Sequence, residues 1–581
     1  MTSPTTSDPA IAALLGTVEP ALLELSIESQ RADWVAATHI TDDTEILSAQ
    51  AQARLIRATV DAMGAAARLA DRPATAADRR KIELLRRSLS LVTPADPALA
   101  AELTRVVASM GGKYGKARYA PKGRSAALDV QALGQLLVES RDPALLEDVW
   151  TGWHETGRLV RDEFLRYVAL GNQGAREVGF ADMGAMWRAR YDMPPDAFEA
   201  EVERLWQQVR PLYRSLHAYV RRRLVERYGA ATVPPRGPIP AHLLGNLWAQ
   251  SWEHVIDLVG PRDAPAPPDL TAALRAKGYG PTEMVRLAER FFVSLGLRPL
   301  PPSFWERSMF VRPPDREVVC HASAWDIDFV DDLRIKMCID PTGEELRVIH
   351  HELGHNYYQW AYAPLPFLFR DGAHDGFHEA IGDTIALSVT PAYLARVGLL
   401  DPAAAQDDAG IGPLLVQALE KIAFLPFGLG IDRWRWRVFS GEIPAERLNT
   451  SWWALRREYQ GVAPPGDRSD PAFDPGAKAH VPGNVPYMRY FLAHILQFQF
   501  HRALAREAGA TGPLHAASIF GSTAAGDRLS RLLAMGQREP WPDALEAATG
   551  ERRMDAAALL EYFEPLQRWL DRENAGEPVG W

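Results

Sequence analysis

Apolar residues recur at every third or fourth position over long stretches of this chain, from Ala51 to Ala70, from Phe198 to Tyr228 and from Tyr490 to Ala505. That period places them on one face of a helix, so the sequence implies a mainly α protein. Proline-rich segments punctuate the pattern at 233–240 (Val-Pro-Pro-Arg-Gly-Pro-Ile-Pro), at Pro261 to Pro268, at Pro464-Pro465-Gly466 and at Asp474-Pro475-Gly476. They read as turns between helices, because none is long or polar enough to serve as a flexible linker. No internal repeat is evident. With 581 residues, 47% of them hydrophobic, the chain has enough apolar side chains for a large core.

The formal net charge is −10 and the pI about 5.9. A surplus of clustered Lys and Arg, the footprint of a nucleic-acid binder, is absent, which speaks against nucleic acid as a partner. The basic stretch Arg79-Arg80-Lys81 to Arg86-Arg87 alternates with apolar residues at helical spacing and reads as a solvated helix face. No unbroken apolar run of about 18 residues appears. The richest candidate, Ile411 to Ile431, is interrupted by Gln417, Glu420 and Lys421, so no membrane span is expected. The first thirty residues lack the basic start and unbroken apolar segment of a secretory signal; either the chain is not exported or the signal has been removed.

Strand character is concentrated in Glu317 to Trp325 and in Leu333 to Ile339, separated by Asp331-Asp332. This pattern suggests a β-hairpin, with an edge to which an extended peptide could add. The chain's two cysteines, Cys320 and Cys338, would lie on its paired strands. Two free thiols and one disulfide both remain open on spacing alone.

Immediately after the hairpin comes His351-Glu352-Leu353-Gly354-His355 in a helical context. Residues four apart share a helix face, so His351 and His355 can offer nitrogens to one zinc ion while Glu352 turns toward the water that the metal would activate. His350 lies about 100° around the helix from His351 and shares no face with His355. A catalytic zinc needs a third protein ligand and an open position. Glu379 supplies the ligand within Gly376 to Asp383, and Asp383, one turn on, can accept the second ring N–H of a ligating histidine. The neighbours Ile381, Ile385 and Leu387 imply that this helix is partly buried, where a carboxylate needs a cation. Glu352 would pass a proton from water to the leaving amine, and a Tyr or His would stabilise the oxyanion; spacing alone does not say which.

These residues resemble the angiotensin-converting enzyme family, including its bacterial single-domain members. The matching segments are Val319 to Asp326, His351 to His355, Gly376 to Asp383, Trp434 to Phe439 and Phe473 to Lys478, and looser similarity runs from Trp34 to Trp569. The resemblance implies a single catalytic unit over 1–581, a two-lobed helical ellipsoid with a deep central channel. N-terminal helices to about residue 120 would form its lid, with the zinc site within 320–390 and a substrate clamp and anion site within 450–500. It further implies one zinc ion per chain on His351, His355 and Glu379, with Glu352 as base, His480 as proton donor and, together with Tyr490, as oxyanion stabiliser. Gln250, Lys478 and Tyr487 match the family's clamp for a peptide C-terminal carboxylate, and His321 and Ala322 match residues that hold the peptide backbone. Gln250 stands where relatives that remove one residue carry Arg, which favours dipeptide release.

Chloride activation is implied as well. Tyr191 and Arg489 match one anion site, and Trp452 and Arg456 match a second whose remaining Arg falls at His154, a departure from the family pattern. Cys320 and Cys338 match a family disulfide, which favours an extracytoplasmic compartment, a cytoplasmic one remaining open. The expected activity is therefore that of a zinc peptidyl-dipeptidase acting on short peptides. The alternatives are a zinc carboxypeptidase or limited endopeptidase on the same site, and a non-catalytic peptide-binding protein. Neither oligomeric state nor physiological substrate is encoded in a readable form.

Overall fold

A computed structural model describes residues 6–261, 269–402 and 410–581. Most of the proline-rich segment ending at Pro268 lies outside the described residues. Two of the long periodic stretches fall inside helices Pro195–Tyr228 and Met488–Glu507, and the third, Ala51 to Ala70, runs one residue past the end of helix Asp42–Leu69, in keeping with their 3.6-residue period. Strand is confined to two small sheets.

Three N-terminal helices, Pro9–Thr38, Asp42–Leu69 and Ala76–Arg86, form a layer with its own small core. Ile11, Leu15, Leu22, Ala62, Ile82 and Leu85 are buried there, against Phe367 and Leu368 of the body. Side-chain caps set the starts of all three: Asp8 accepts from the amide of Ala10, Thr41 from that of Thr44 and Thr75 from that of Asp78. The layer is also joined to the body by charge. Arg80 is buried, 6% exposed, and both it and Arg87 pair with Asp192. The basic stretch is thus an internal anchor and not a solvated face, because Asp192 lies opposite it in the folded chain.

Two helices, Pro9–Thr38 and the Ile411–Phe439 run, are long and apolar enough to cross a bilayer by length and composition, a property that the search for an unbroken apolar run does not register. The second is mostly buried inside the protein; the first, near the N-terminus, has 17% of its apolar window buried.

At the centre, helix Asp375–Leu387 is packed between helices Gly343–Tyr362 and Met488–Glu507. Two glycines permit the first contact. A Cβ on Gly354 would lie 3.0 Å from Cα of Gly382, and one on Gly382 would lie 2.8 Å from Nδ1 of His351. Those distances leave no room for a side chain, so glycine at both positions lets the two helices bring their polar residues together.

The hairpin is shorter than the sequence suggests. Ser323–Asp326 pairs antiparallel with Leu333–Lys336, Ser323 opposite Lys336 and Asp326 opposite Leu333. Glu317 to Ala322 is not part of the ladder; its amides and carbonyls turn instead to the end of the first helix, where Val319 N donates to Ala37 O and Ile40 N to Glu317 O. The Asn356 amide donates to the carbonyls of Trp325 and Arg334, fastening the hairpin to helix Gly343–Tyr362.

Cys320 and Cys338 are bridged, with Cα atoms 5.0 Å apart, just outside the paired segments.

Candidate metal and peptide site

A cavity of about 610 Å³ opens beneath the N-terminal helices, lined by His321, Ala322, His351, Glu352, His355, Glu379 and Tyr490 among others. A second, of about 410 Å³, shares Phe329, Arg370 and Asp371 with it and continues between the helical lid and the body. Residues of the first two helices line both cavities: Gln30 the first, and Leu22, Ser26 and Leu55 the second.

Within it, one ligand atom each from His351, His355 and Glu379 falls within 4.8 Å of the others. The Nε2 atoms of His351 and His355 face each other at 3.0 Å. Two imidazole lone pairs aimed at one point, with a carboxylate beside them, are the donor set of a divalent transition metal, and His₂Glu is a zinc set with a position left open. The arrangement fits zinc. His351 Nδ1 is 3.2 Å from Asp383 Oδ1, and His355 Nδ1 is 3.3 Å from Nδ1 of His378.

Electrostatics follow the same division. Burial pushes the His355 imidazole down to about 3, with His351 adding to the effect. Burial also opposes charge on His351, but Asp383 and Glu379 outweigh it and hold that imidazole at about 10, a proton that a metal ion would displace. Burial works against the Glu379 anion; His351 and His355 nevertheless hold it at about 2. Glu352 is raised by burial, with Glu379 adding to the rise, and the Ala324 amide of the hairpin offsets part of it. His350 is turned away as expected, its nitrogens against Leu346 O and the Tyr393 hydroxyl.

The groups assigned to the far end of the peptide converge from distant parts of the chain. Lys478 Nζ donates to Gln250 Oε1 at 2.6 Å, and the Tyr487 hydroxyl approaches the same oxygen at 3.3 Å. Ala249, just before Gln250, has φ 48°, a strained conformation for a residue with a Cβ; its carbonyl is held by Gln460 and Trp252. Lys478 lies 4.0 Å above the Trp248 ring and has no carboxylate partner among the described residues. Burial alone pushes its ammonium down to about 7. The His480 ring is 4.7 Å from that of Tyr487 and 5.9 Å from that of Tyr490. Burial first, then Lys478 and Arg435, lower His480 to about 3, so it is a neutral hydrogen-bond donor at physiological pH.

Residues 5–581 match the family model described as angiotensin-converting enzyme. The chain belongs to the angiotensin-converting enzyme family. It is 50% identical over 454 residues to the angiotensin-converting enzyme of Rattus norvegicus, an alignment that covers 77% of this chain and 34% of the rat protein. The chain therefore spans about a third of the length of the first mammalian relatives it matches. Identity to the angiotensin-converting enzyme of the leech Theromyzon tessulatum is 44% over 456 residues, 78% of this chain and 74% of that one. The angiotensin-converting enzyme-like protein Ace3 of Mus musculus is 45% identical over 454 residues, 77% of this chain and 61% of its own.

Against that family background the two expected anion sites diverge. Arg489 pairs with Asp375 at 3.4 Å, and the same carboxylate acts on the Tyr191 hydroxyl electrostatically, so a protein anion already faces these two residues. Arg456, by contrast, is buried among Phe427, Trp452 and Trp453 and makes no ion pair among the described residues. Its guanidinium donates to Gln460 Oε1 and Trp248 O, and burial lowers it to about 9. His154 stacks on Trp150 and is pushed by burial to about 4, hence uncharged.

Sequence reasoning missed several supports of the site. Lys336 donates to the carbonyls of Val319 and His321, holding the segment that carries His321 and Ala322. Asp432 accepts from the amides of Tyr487 and Met488, both at 2.7 Å, and pairs with buried Arg435, which donates to the carbonyls of His480 and Val485. Only the Trp434 to Phe439 resemblance pointed near this pair. Lys421 and Gln497 both reach Asp383 Oδ2.

Proposed function

We propose that this protein is a zinc peptidyl-dipeptidase that releases C-terminal dipeptides from short peptides. The observation that carries the proposal is the combination of a His351–His355–Glu379 donor set with a buried Lys478 that has no carboxylate partner among the described residues and is held beside Gln250 and Tyr487. Such a cation calls for an anion from outside the chain, and a peptide's terminal carboxylate supplies one. The lining of both cavities by N-terminal helix residues supports flexible peptides as substrates rather than folded proteins.

His351, His355 and Glu379 would hold zinc, which would supply Lewis acidity to the scissile carbonyl and to water. Glu352, raised by burial, takes the proton of the attacking water and delivers it to the departing amine. Tyr490 and neutral His480 donate to the oxyanion as it develops. His321 and Ala322, on a segment stiffened by Lys336 and by the disulfide, align the peptide backbone. Asp383 orients His351. The disulfide supports an oxidising, extracytoplasmic setting. Chloride activation finds its support at Arg456, which is buried and makes no ion pair among the described residues, rather than at Arg489.

Mass spectrometry of a blocked decapeptide incubated with the protein, beside a Glu352→Ala control, tests the proposal. Successive dipeptide loss absent from the control is expected; loss of single residues would assign a carboxypeptidase, and an untouched peptide would leave a binding protein.

A further inference from the structure

Within the Ile411 to Ile431 run, Gln417, Glu420 and Lys421 interrupt a sequence that is otherwise apolar. In the fold, Ala418–Ile422 forms a π-helical turn between helices Ile411–Gln417 and Ala423–Phe439. Such a turn inserts a residue into the helix and re-aims the side chains it carries, a device concentrated at functional sites.

Lys421 is the cation so placed. Its Nζ lies 3.4 Å from Asp383 Oδ2 and 3.1 Å from Glu420 Oε1. Gln497, one turn beyond Ala493 on helix Met488–Glu507, donates to the same Asp383 Oδ2 at 3.0 Å. Asp383 thus has one oxygen occupied by two donors from two other helices, leaving Oδ1 for His351 Nδ1 at 3.2 Å. A carboxylate held on one side cannot rotate freely, so the imidazole it meets is held in orientation too.

We propose that Lys421 is a positioning residue of the metal site: acting through Asp383, it fixes the tautomer and direction of His351 and thereby tightens zinc binding. The role rests on the zinc reading of the His351–His355–Glu379 group. Removal of a comparable outer partner costs about 10–100-fold in metal affinity. The ammonium also offsets the charge of a half-buried carboxylate that shares His351 with two more, Glu352 and Glu379. Lys421 bears on the metal without touching it, and its distance in sequence from His351 hides it from any motif.

The test is competition of the zinc-loaded protein against a chromophoric chelator, for wild type, Lys421→Met, Lys421→Arg, Asp383→Asn and the double variant Lys421→Met/Asp383→Asn. Thermal unfolding of each apo protein reports on folding separately. We expect Lys421→Met to bind zinc about 10–100-fold more weakly, Lys421→Arg to recover most of that loss, and the Lys421 substitution to cost little once Asp383 is replaced. Undiminished zinc affinity in folded Lys421→Met would overturn the role. So would full additivity in the double variant, since a merely structural lysine would not act through Asp383. A wild-type chain that takes up no zinc would instead remove the metal site itself, and this role with it. No step of the measurement depends on peptide cleavage.

Discussion

Replacing Lys478 with methionine removes a buried ammonium while keeping most of its apolar stem. In the folded chain this group donates to Gln250 at 2.6 Å, lies over Trp248 and is 6% exposed. If it receives the terminal carboxylate of a peptide, the variant leaves that carboxylate buried without its cation, at a cost of about 2–5 kcal/mol. At about 1.36 kcal/mol per tenfold, kcat/KM for a free-acid peptide falls by about 30-fold to several thousand-fold. The same peptide with an amidated C-terminus never had the anion, so its already poor turnover changes much less. Rates for both peptides with both proteins close a thermodynamic cycle. Equal losses on the two substrates would refute a carboxylate clamp at Lys478. Acidity supplies a second reading of the same group. With its ammonium lowered to about 7, free protein loses this charge as pH rises through 7, whereas a bound carboxylate restores it. KM for free-acid peptides should therefore climb above pH 7, with proton uptake on binding measurable by calorimetry in buffers of different ionisation enthalpy. A KM flat from pH 6 to 9 would contradict the argument.

Asp375→Ala, by removing the carboxylate that faces Arg489 and Tyr191, should add a chloride dependence at Arg489 to the wild-type response, with about a 10–100-fold loss relative to wild type in chloride-free buffer; wild type responding more strongly to chloride than the variant would rule this out. Asp432→Ala strips Arg435 of its buried partner and the Tyr487 and Met488 amides of their acceptor, and should cost about 3–5 kcal/mol in urea unfolding, where a loss below about 1 kcal/mol would show the pair to be dispensable. Opening the Cys320–Cys338 bridge, which spans 18 residues, with a Cys320→Ser/Cys338→Ser pair should cost about 3 kcal/mol and raise KM as the His321–Ala322 segment loosens; an unchanged melting temperature and KM would count against both roles.

The helical class and the metal donors were legible because each rests on local periodicity. His351 and His355 are four apart, as are Glu379 and Asp383, and four residues is the repeat that puts two side chains on one helix face. The first strand was overextended because the β-branched, apolar character of Glu317 to Ala322 reads the same whether a segment pairs with a strand or, as here, lies against the end of a helix. The basic 79–87 stretch was misread because its partner, Asp192, lies more than a hundred residues away. The anion sites were read from resemblance, and that reading could not register Asp375, whose carboxylate faces Arg489.

What the sequence by itself determined is which groups stand within one or two helical turns of each other: His351 and His355 with Glu352 between them, and Glu379 with Asp383. Tertiary structure alone decided how those pieces meet. Gly354 against Gly382 sets the separation of the two ligand helices, Gln250 meets Lys478 across 228 residues, and Lys421 reaches Asp383 from a π-helical turn. The physical reason is that periodicity encodes which side chains share a face, whereas contact between faces depends on packing, which in this chain is set by two missing Cβ atoms and by buried charges that had to find partners.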